Sequence, residues 1–474
     1  MAEHTLTLRT QDAMRQIQFR ATPLLMDVLQ ENGIAFAHPC GGRGLCLKCA
    51  VEASGAVSVP NEIEQKNGLR LSCQLRLLGD CEVTLQTIGG VSGQDEDQPV
   101  TGERLLAADI GTTTLEIKLF DAATNELVRH ATALNPQAAF AADVIGRVTA
   151  VLEGKGKAMR ERLADALLQM LDDRMAFRGA VITGNTVMLT ILTGRSVEAF
   201  AKAPFTPQYV FGQTEYALGF RAYLPPCTGA FTGADLTCAV LYSGMTERPE
   251  TALLCDIGTN GEIALWHHGA LFVTSTAVGP AFEGAGISCG MGGVKGAIDK
   301  VWAAQNTLDA RVIGGGTAQG ICGSGLIDAV AAMLALRWID RYGTMDGESL
   351  PVAQGVALTR QDIRQVQLAK AAVAAGIETL MELAGVEAAE IQTLLIAGGF
   401  GSHLDPRSAA AIGLYPVALA SKVRVLGNAA LEGAALLLEQ KKRSEADRIA
   451  RIAQPVQLSG NPLFADKFIR HMNF

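Results

Sequence analysis

The sequence predicts a small α+β domain at the N-terminus, followed by a large α/β domain made of two similar lobes. Two observations carry this prediction. Residues 1–87 give the order strand, strand, helix, loop and short strands. Further along, the string Asp-Ile-Gly-Thr begins at Asp109 and returns at Asp256, 147 residues later. Since each copy follows a strand-like apolar run, the repeat indicates that a whole lobe is duplicated.

Each element of the N-terminal domain has its own local signal. Residues 5–10 and 15–20 alternate apolar and polar side chains, as the two strands of a hairpin do. Thr22 and Pro23 precede a predicted helix that ends at Gly33, since proline suits the first helical position and glycine the end. Short strands follow near residues 50–53, 69–75 and 81–86. This order is typical of a β-grasp ferredoxin, in which the helix braces the loop behind it.

That loop carries three cysteines, Cys40, Cys46 and Cys49, in the spacing C-x5-C-x2-C, and Cys73 follows in the predicted strand 69–75. Three close thiolates and one distant thiolate are how a binuclear iron–sulfur cluster is held. The spacing resembles the adrenodoxin-like branch of the 2Fe–2S ferredoxins. A zinc site is the alternative, but zinc loops usually carry two C-x2-C pairs and this chain has one. We therefore predict four iron ligands in this domain.

Composition narrows the classes of function. A chain of 474 residues with 49% hydrophobic side chains suggests two to four domains with sizeable cores. The net charge of −8 gives no basic footprint for nucleic acid. The N-terminus lacks an apolar signal core and no run of eighteen apolar residues occurs, so we expect a cytoplasmic protein without a membrane span. Small buried apolar roles are predicted for Cys81, Cys227, Cys238, Cys255, Cys289 and Cys322, the last two lying in glycine-rich loops.

The rest of the chain divides at changes of pattern. Residues 88–103 are polar, acidic and rich in glycine, which is typical of a linker. Residues 104–440 form the two-lobed domain, with lobe one at about 104–250 and lobe two at about 251–440. Residues 441–474 form a charged, then mixed, C-terminal tail to which the sequence assigns no role.

Each Asp-x-Gly-Thr hairpin has the chemistry of a phosphate-binding turn. Its glycine lets backbone amides face anionic oxygens, its threonines add donors, and its aspartate suits Mg²⁺. Two copies, with a Gly-Gly-Phe-Gly turn after a buried strand, predict two RNase H-like lobes that face each other across a nucleotide. The predicted first turn is Asp109, Gly111, Thr112 and Thr113; the second is Asp256, Gly258, Thr259 and Asn260; the adenosine turn is Gly398, Gly399, Phe400 and Gly401.

Catalytic roles inside this site are less strongly specified. Asp109 is the better Mg²⁺ candidate, and Asp256 or Glu262 is predicted to orient the attacking water. Glu262 has an equal alternative as a solvated strand residue.

Four neighbouring polar residues have structural alternatives as well. Asn185 either caps its helix or contacts nucleotide. For Asp143 and Arg147, one helical turn apart, an i,i+4 ion pair is favoured over a site. Asp235 is a weaker site candidate.

The two-lobed arrangement resembles the ATPases of the sugar kinase, heat-shock chaperone and actin superfamily. Several strings narrow the match: NPQAAFAADVIGRV, GNTVMLTILTG, DIGTNGEIAL, GPAFEGAGISCGM, GICGSGLIDAV, IAGGFGSHLD and VLGNAAL. Together with a ferredoxin N-terminus, they resemble the ATP-dependent reductive activators of corrinoid-dependent enzymes. Many members of that family carry a middle domain between ferredoxin and ATPase. Because Asp109 follows the linker almost at once, no such domain is expected here.

The resemblance implies an enzyme that hydrolyses ATP to drive one electron from a 2Fe–2S cluster onto cobalt, Co(II) to Co(I), in a methyltransferase system. The implied cofactors are the cluster, ATP and Mg²⁺. The implied partners are a corrinoid protein and an upstream reductant such as a ferredoxin or a flavoprotein, with a homodimer left open. The alternatives are an ATP-gated electron donor to another low-potential enzyme and a redox-sensing, chaperone-like ATPase.

Overall fold

The computed structural model describes residues 3–9, 14–32, 34, 49–67, 70–85, 103–171, 177–399 and 403–474. Several sequence predictions lie outside these residues: the ligands Cys40 and Cys46, the linker up to residue 102, Gly33, and the turn residues Phe400 and Gly401. Within the described part of the chain, no helix is both long enough and apolar enough to cross a membrane.

The N-terminal domain is a five-stranded sheet packed against one helix, as predicted. Its elements are β1 (His4–Arg9), β2 (Met14–Phe19), α1 (Leu25–Glu31), β3 (Ala50–Val57), α2 (Glu62–Asn67), β4 (Arg70–Leu71) and β5 (Leu77–Leu85). The strand order is β2-β1-β5-β3-β4, with β1 and β5 parallel. Helix α1 packs Leu25, Val28 and Leu29 into the core of this sheet. The hairpin, the helix and the β-grasp order are confirmed.

Two details of this domain differ from the sequence prediction. The strand predicted at 69–75 is reduced to β4, and Cys73 lies in the turn that follows it. Helix α2 was not predicted, although Asn61 and Glu64 form a reciprocal pair at its start: each side chain accepts a hydrogen bond from the other's backbone amide, at 3.0 Å. The Glu64 carboxylate also accepts from the Leu71 amide at 2.9 Å. A buried carboxylate therefore decides the local structure before Cys73.

Lobe one is built around a six-stranded sheet of order β10-β11-β9-β6-β7-β8. Its elements are β6 (Arg104–Ile110), β7 (Thr114–Asp121), β8 (Leu127–Leu134), α3 (Val144–Ala150), a π-helical segment (Val151–Lys155), α4 (Gly156–Met170), β9 (Phe177–Gly184), α5 (Thr186–Leu192), β10 (Gln213–Ala217), β11 (Phe220–Leu224) and α6 (Ala234–Ser243).

Lobe two repeats this plan, with a sheet of order β21-β20-β12-β13-β14-β22. Its elements are β12 (Ala252–Ile257), β13 (Asn260–His267), β14 (Ala270–Ala277), β15 (Ala297–Ala304), β16 (Thr307–Val312), β17 (Gly320–Ile321), α7 (Gly323–Ala335), β18 (Ser349–Ala353), β19 (Val356–Thr359), α8 (Arg360–Ala384), β20 (Thr393–Ala397), α9 (Pro406–Ala411), β21 (Val423–Gly427), α10 (Ala429–Leu436), α11 (Arg443–Ile452), β22 (Ala453–Pro455) and α12 (Pro462–Arg470).

The duplication is visible in strand pairing. In lobe one, β6 is antiparallel to β7 and parallel to β9; in lobe two, β12 is antiparallel to β13 and parallel to β20. Register places Asp109 opposite Glu116 in the first hairpin and Asp256 opposite Glu262 in the second. Each lobe therefore carries a pair of facing carboxylates at the turn end of its central hairpin. The predicted fold class, a β-grasp domain followed by a duplicated α/β domain, is confirmed.

One helix from each lobe, α6 from lobe one and α10 from lobe two, also packs on the sheet of the other lobe. Helices α6 and α10 pack on one another, and their residues share an apolar core with Ala107 and Val181 of lobe one and Leu254 of lobe two. The helices approach so closely at Gly433 that a Cβ there would lie 2.0 Å from the Cys238 carbonyl oxygen. The absence of a side chain at this point sets the distance between the lobes.

The segment 441–474 folds onto lobe two. Strand β22 adds to the sheet beside β14, and α12 packs on α8, where Lys467 lies within ion-pair distance of Glu378 and Glu382. The segment therefore completes the second sheet.

We predict that Gly433→Ala destabilises the protein, because the added methyl group meets backbone and the helices must separate. The free energy of unfolding should fall by about 1–3 kcal/mol, measured by chemical denaturation. Gly376→Ala in α8 is the matched control, since its Cβ meets the flexible end of Ile263 at 2.7 Å. An equal loss in both variants would contradict the proposed role of the α6–α10 contact.

Candidate functional site

A cavity of about 430 Å³ lies between the lobes, at the turn ends of β6 and β12. The described residues predicted for the phosphate and adenosine turns all line it: Asp109, Gly111, Thr112, Thr113, Asp256, Gly258, Thr259, Asn260, Gly398 and Gly399. Glu262 lines it as well. The fold thus collects in one place residues that lie up to 290 positions apart in the chain.

The two phosphate turns touch each other. The hydroxyl oxygens of Thr113 and Thr259 are 2.7 Å apart. Glu283 joins them, because its carboxylate accepts from Thr113 at 2.8 Å and from Thr259 at 3.1 Å. One carboxylate therefore connects lobe one to lobe two at the floor of the cleft.

Two glycines permit the close backbone approach that the sequence analysis assigns to these turns. A Cβ on Gly111 would lie 2.6 Å from the Thr114 carbonyl oxygen. Gly398 has a φ of +91°, and a Cβ there would lie 2.7 Å from an oxygen of Asp256. Any larger residue would fill the space or strain the backbone.

Several carboxyl groups lie close together in the cavity, and ionising all of them at once is energetically unfavourable. Burial, followed by the charge of Asp235, raises the pKa of Asp256 to about 7 and the pKa of Asp109 well above its ordinary value. Burial also raises the pKa of Asp235 to about 6 and the pKa of Glu262 well above its ordinary value. A divalent cation would relieve this crowding. The structure thus makes Asp235 part of the site, although the sequence ranked it low.

No group of three His, Cys, Asp or Glu side chains is arranged to bind a metal directly among the described residues. Mg²⁺ commonly keeps several waters and is held through one or two carboxylates and phosphate oxygens. The carboxylates of the cavity fit that mode of binding.

Asn428, which the sequence analysis missed, connects the lobes beside Asp109. Its side-chain amide donates to Asp109 at 3.1 Å and to Glu116 at 2.7 Å, while its oxygen caps α10 at the Leu431 amide. Glu116 also lies 2.6 Å from a ring nitrogen of His130. The string VLGNAAL contains Asn428, but only the tertiary fold shows that it reaches the other lobe.

Arg147 supports the first turn from behind. It is fully buried, and its guanidinium donates to the Thr112 carbonyl oxygen and to Gln137 at 3.3 Å. Asp143 instead caps α3 by accepting from the Gly146 amide at 2.8 Å. The expected Asp143–Arg147 ion pair is therefore wrong, because the arginine turns inward to the phosphate turn.

The structure bears on two open alternatives. Asn185 caps α5, accepting from the Met188 amide at 2.9 Å, so the cap is confirmed; its amide also donates to the Thr112 hydroxyl at 3.3 Å, and contact with nucleotide stays a prediction. Glu262 is 8% exposed and lines the cavity, hence the solvated-strand alternative is wrong.

The second predicted site lies in the N-terminal domain. The sulfur atoms of Cys49 and Cys73 are 3.2 Å apart, and both residues are buried beside Leu71, Met26 and Ile63. Two thiols from distant parts of the chain converge in an apolar setting, as ligands of one cluster must. Cys81 is also buried, with its pKa raised to about 11 by burial, but it belongs to the core of the sheet.

Family comparisons agree with this architecture. The model for the C-terminal ASKHA domain of RACo matches residues 250–474, and the model for the RACo middle region matches residues 105–248. The corrinoid activation enzyme RamQ of Eubacterium limosum is 31% identical over 433 residues, which cover 81% of this chain and 72% of RamQ. The chain belongs to the RACo family of corrinoid activators.

Other similar proteins match either most of this RACo family member or its N-terminal domain alone. The [Co(II) methylated amine-specific corrinoid protein] reductase of Methanosarcina barkeri is 25% identical over 394 residues, covering 74% of this chain and 72% of that protein. The solved reductive activator for a corrinoid, iron–sulfur protein superposes with a TM-score of 0.71 at 24% identity, covering 99% of this chain and 98% of that one, which shows the same fold. One component of the Na⁺-translocating NADH-quinone reductase of Shewanella denitrificans is 37% identical over 82 residues, 16% of this chain and 20% of that protein.

The family match corrects one expectation. The middle region was expected to be missing from this RACo family member, yet residues 105–248 match it. That region is what folds here as lobe one.

We predict that Asp256→Asn raises the free energy of unfolding of the nucleotide-free protein, with a gain that grows from pH 4 to pH 8. The folded protein holds a proton on Asp256 up to pH about 7, whereas the unfolded chain loses it near 3.8, so stability falls as pH rises through that window. Because Asp256 is only partly buried, a gain of only about 1–2 kcal/mol at pH 8 is expected from chemical denaturation.

Asp299→Asn is the control of opposite sign. Hydrogen bonds from Arg311 lower the pKa of Asp299, so its neutralisation should cost stability at pH 8. A pH dependence that Asp256→Asn leaves unchanged would show that this carboxyl is not crowded in the cavity.

Proposed function

We propose that this chain is an ATP-hydrolysing reductive activator that transfers one electron to a corrinoid protein and converts Co(II) to Co(I). Its family membership supports this, since its relatives are named as activators and reductases of corrinoid proteins. The observation that carries the proposal is the combination, in one chain, of a buried thiol pair and a two-lobed cleft whose phosphate turns meet.

The thiol pair is proposed to hold the electron carrier, with Cys40 and Cys46 as the further ligands. A 2Fe–2S cluster bound there supplies one-electron chemistry at low potential. Leu71 is fully buried beside both thiols and, with Met26 and Ile63, limits contact of the sulfurs with water. The electron is proposed to come from an upstream reductant such as a ferredoxin or a flavoprotein.

The cleft is proposed to bind Mg²⁺ and ATP. Asp109, with its neighbours in the acidic cavity, would hold Mg²⁺ through water, and the hydroxyls of Thr113 and Thr259 would donate to phosphate oxygens. Gly398 leaves room for the nucleotide beside Asp256, which, with Glu262, is the candidate for orienting the attacking water. The lining of the cavity supports these proposed roles.

ATP is required because reduction of Co(II) is energetically uphill. For one electron, about 59 mV corresponds to a tenfold change in equilibrium. A conformational bias of about 5 kcal/mol, enough to invert a two-state population, would offset about 200 mV. The lobes can transmit such a bias, since Asn428 bridges them beside Asp109 and the Lys118–Glu432 ion pair joins β7 to α10.

The test mixes anaerobically purified, reduced protein with a Co(II) corrinoid protein, Mg²⁺ and ATP. The visible spectrum of Co(I) should appear, and without ATP the spectrum should not change. Cys73→Ser should lose iron, colour and cobalt reduction while it keeps ATP binding. Cys81→Ser is the matched control, a buried thiol of the same domain that should keep its iron.

Two outcomes would contradict the proposal. ATP hydrolysis without any change at cobalt would favour a chaperone-like ATPase or a different electron acceptor. A colourless protein that carries zinc in place of iron would remove the electron carrier.

We predict that Asp109→Asn weakens Mg²⁺-ATP binding at least tenfold, about 1.4 kcal/mol, because a carboxylate that holds the cation is lost. In EDTA the same variant should bind ATP at least as well as the wild type does, since no cation is present and an acidic group has been removed from the cavity. Calorimetry with and without Mg²⁺ measures both values. Asp143→Asn, which preserves the cap of α3, is the control; equal loss with and without Mg²⁺ would exclude the assigned role.

A further inference from the structure

Glu283 stands on a rigid support at the floor of the cleft. It ends a short 3₁₀ turn (Pro280–Glu283) that is flanked by Gly279 and Gly284, both with positive φ. A Cβ on Gly284 would lie 2.6 Å from the Met291 carbonyl oxygen, and Phe282 is 1% exposed. The Gly279 amide also donates to the Thr259 carbonyl oxygen at 2.9 Å. These contacts hold the backbone of the turn, and the Glu283 side chain extends from it to Thr113 and Thr259.

That side chain lies where an anion would be bound. The Glu283 carboxylate accepts from Thr113 of the first phosphate turn at 2.8 Å and from Thr259 of the second at 3.1 Å. A Cβ placed on Gly258 would lie 3.4 Å from the same carboxylate. These three residues are the hydroxyl donors and the open glycine with which the turns would hold a phosphate.

The arrangement is also short of protons. Two threonine hydroxyls supply two protons, yet three pairs of residues are in close contact through their side-chain oxygens: Thr113 with Thr259 at 2.7 Å, and each threonine with Glu283. With Glu283 ionised, one of these contacts has no proton between its atoms and is repulsive. Such a set of contacts is easily exchanged for another acceptor.

We propose that Glu283 competes with the terminal phosphate of ATP for the hydroxyls of Thr113 and Thr259. This inference rests on the proposed function, which places ATP in this cleft. Without ATP, the carboxylate ties the two turns together; ATP replaces it, because two anions do not share the same donors. ADP lacks the terminal phosphate and leaves Glu283 in place.

Because only ATP displaces Glu283, the conformation of the cleft would depend on whether ATP or ADP is bound. A ligand shifts a conformational equilibrium only by its difference in affinity for the two states. Displacement of Glu283 from the bridge between the lobes is such a difference, and it ends when the terminal phosphate leaves. Glu283 is therefore assigned as a specificity residue for the nucleotide state.

The test compares the binding of AMP-PNP and ADP, each with Mg²⁺, to the wild type and to Glu283→Gln by calorimetry. The variant should bind AMP-PNP at least tenfold more tightly, since the competing charge is gone, and ADP with a change of about threefold or less. Glu116→Gln is the control for changing another carboxyl group that lines the same cavity. It should not separate the two nucleotides in this way. A Thr113→Val, Thr259→Val background should abolish the tightening, because the shared donors are absent.

The contrary outcomes are distinct. Equal tightening for both nucleotides would show a general effect of charge. Unchanged affinities with slow ATP turnover would show that Glu283 acts on the attacking water instead. If wild-type protein that has kept its iron and its thermal transition binds neither nucleotide, the proposed function fails and this inference with it. If it binds AMP-PNP and Glu283→Gln gains nothing, the inference alone fails.

Discussion

The contact between the two phosphate turns is the constraint on which the rest of the two-lobed domain depends. Hydroxyls from the hairpin turns of two different sheets meet at 2.7 Å only if both sheets are held at one separation and angle. Helices α6 and α10 supply that, because each also packs on the sheet of the other lobe and they touch backbone to backbone at Gly433. The distance between α6 and α10 in the core thus sets the distance between the two turns at the cleft.

The same closeness creates the electrostatic cost of the site. Duplication places one facing carboxylate pair in each lobe, Asp109 with Glu116 and Asp256 with Glu262. When the lobes meet, these pairs and Asp235 enter one partly buried cavity, and burial raises the pKa of Asp256 to about 7. A fold selected for stability would not collect these groups, whereas one that binds a cation and phosphates needs them. Asn428, in place of one more carboxylate, bridges the first pair without adding charge.

The N-terminal domain has to position thiols. To hold the predicted cluster, the thiols must lie close enough to share one inorganic group, and their surroundings must be apolar enough to limit water at the sulfurs. The short helix α2 and the buried Glu64, which accepts from the Leu71 amide at 2.9 Å, fix the turn that carries Cys73. A polar residue in the core thereby positions a ligand of the predicted cluster.

The sequence by itself determined the order of most elements, the β-grasp class, the duplication and which residues form the two facing turns of the cavity. These features are local, since glycine at a turn, alternation in a strand and Asp-x-Gly-Thr after an apolar run depend on neighbours in the chain. Only the tertiary structure decided which side chains cross between lobes. Glu283 and Asn428 lie in strings that carry the family resemblance, but their partners in the other lobe are 170 and 319 residues away, which no local pattern shows. Within lobe one, Arg147 likewise reaches a turn 35 residues away. Periodicity also overestimated the strand around Cys73, because a buried carboxylate 9 residues earlier outweighed local propensity there. Local sequence specified the hairpin and turn that each lobe contributes to the cavity, and long-range packing specified how the two lobes are brought together.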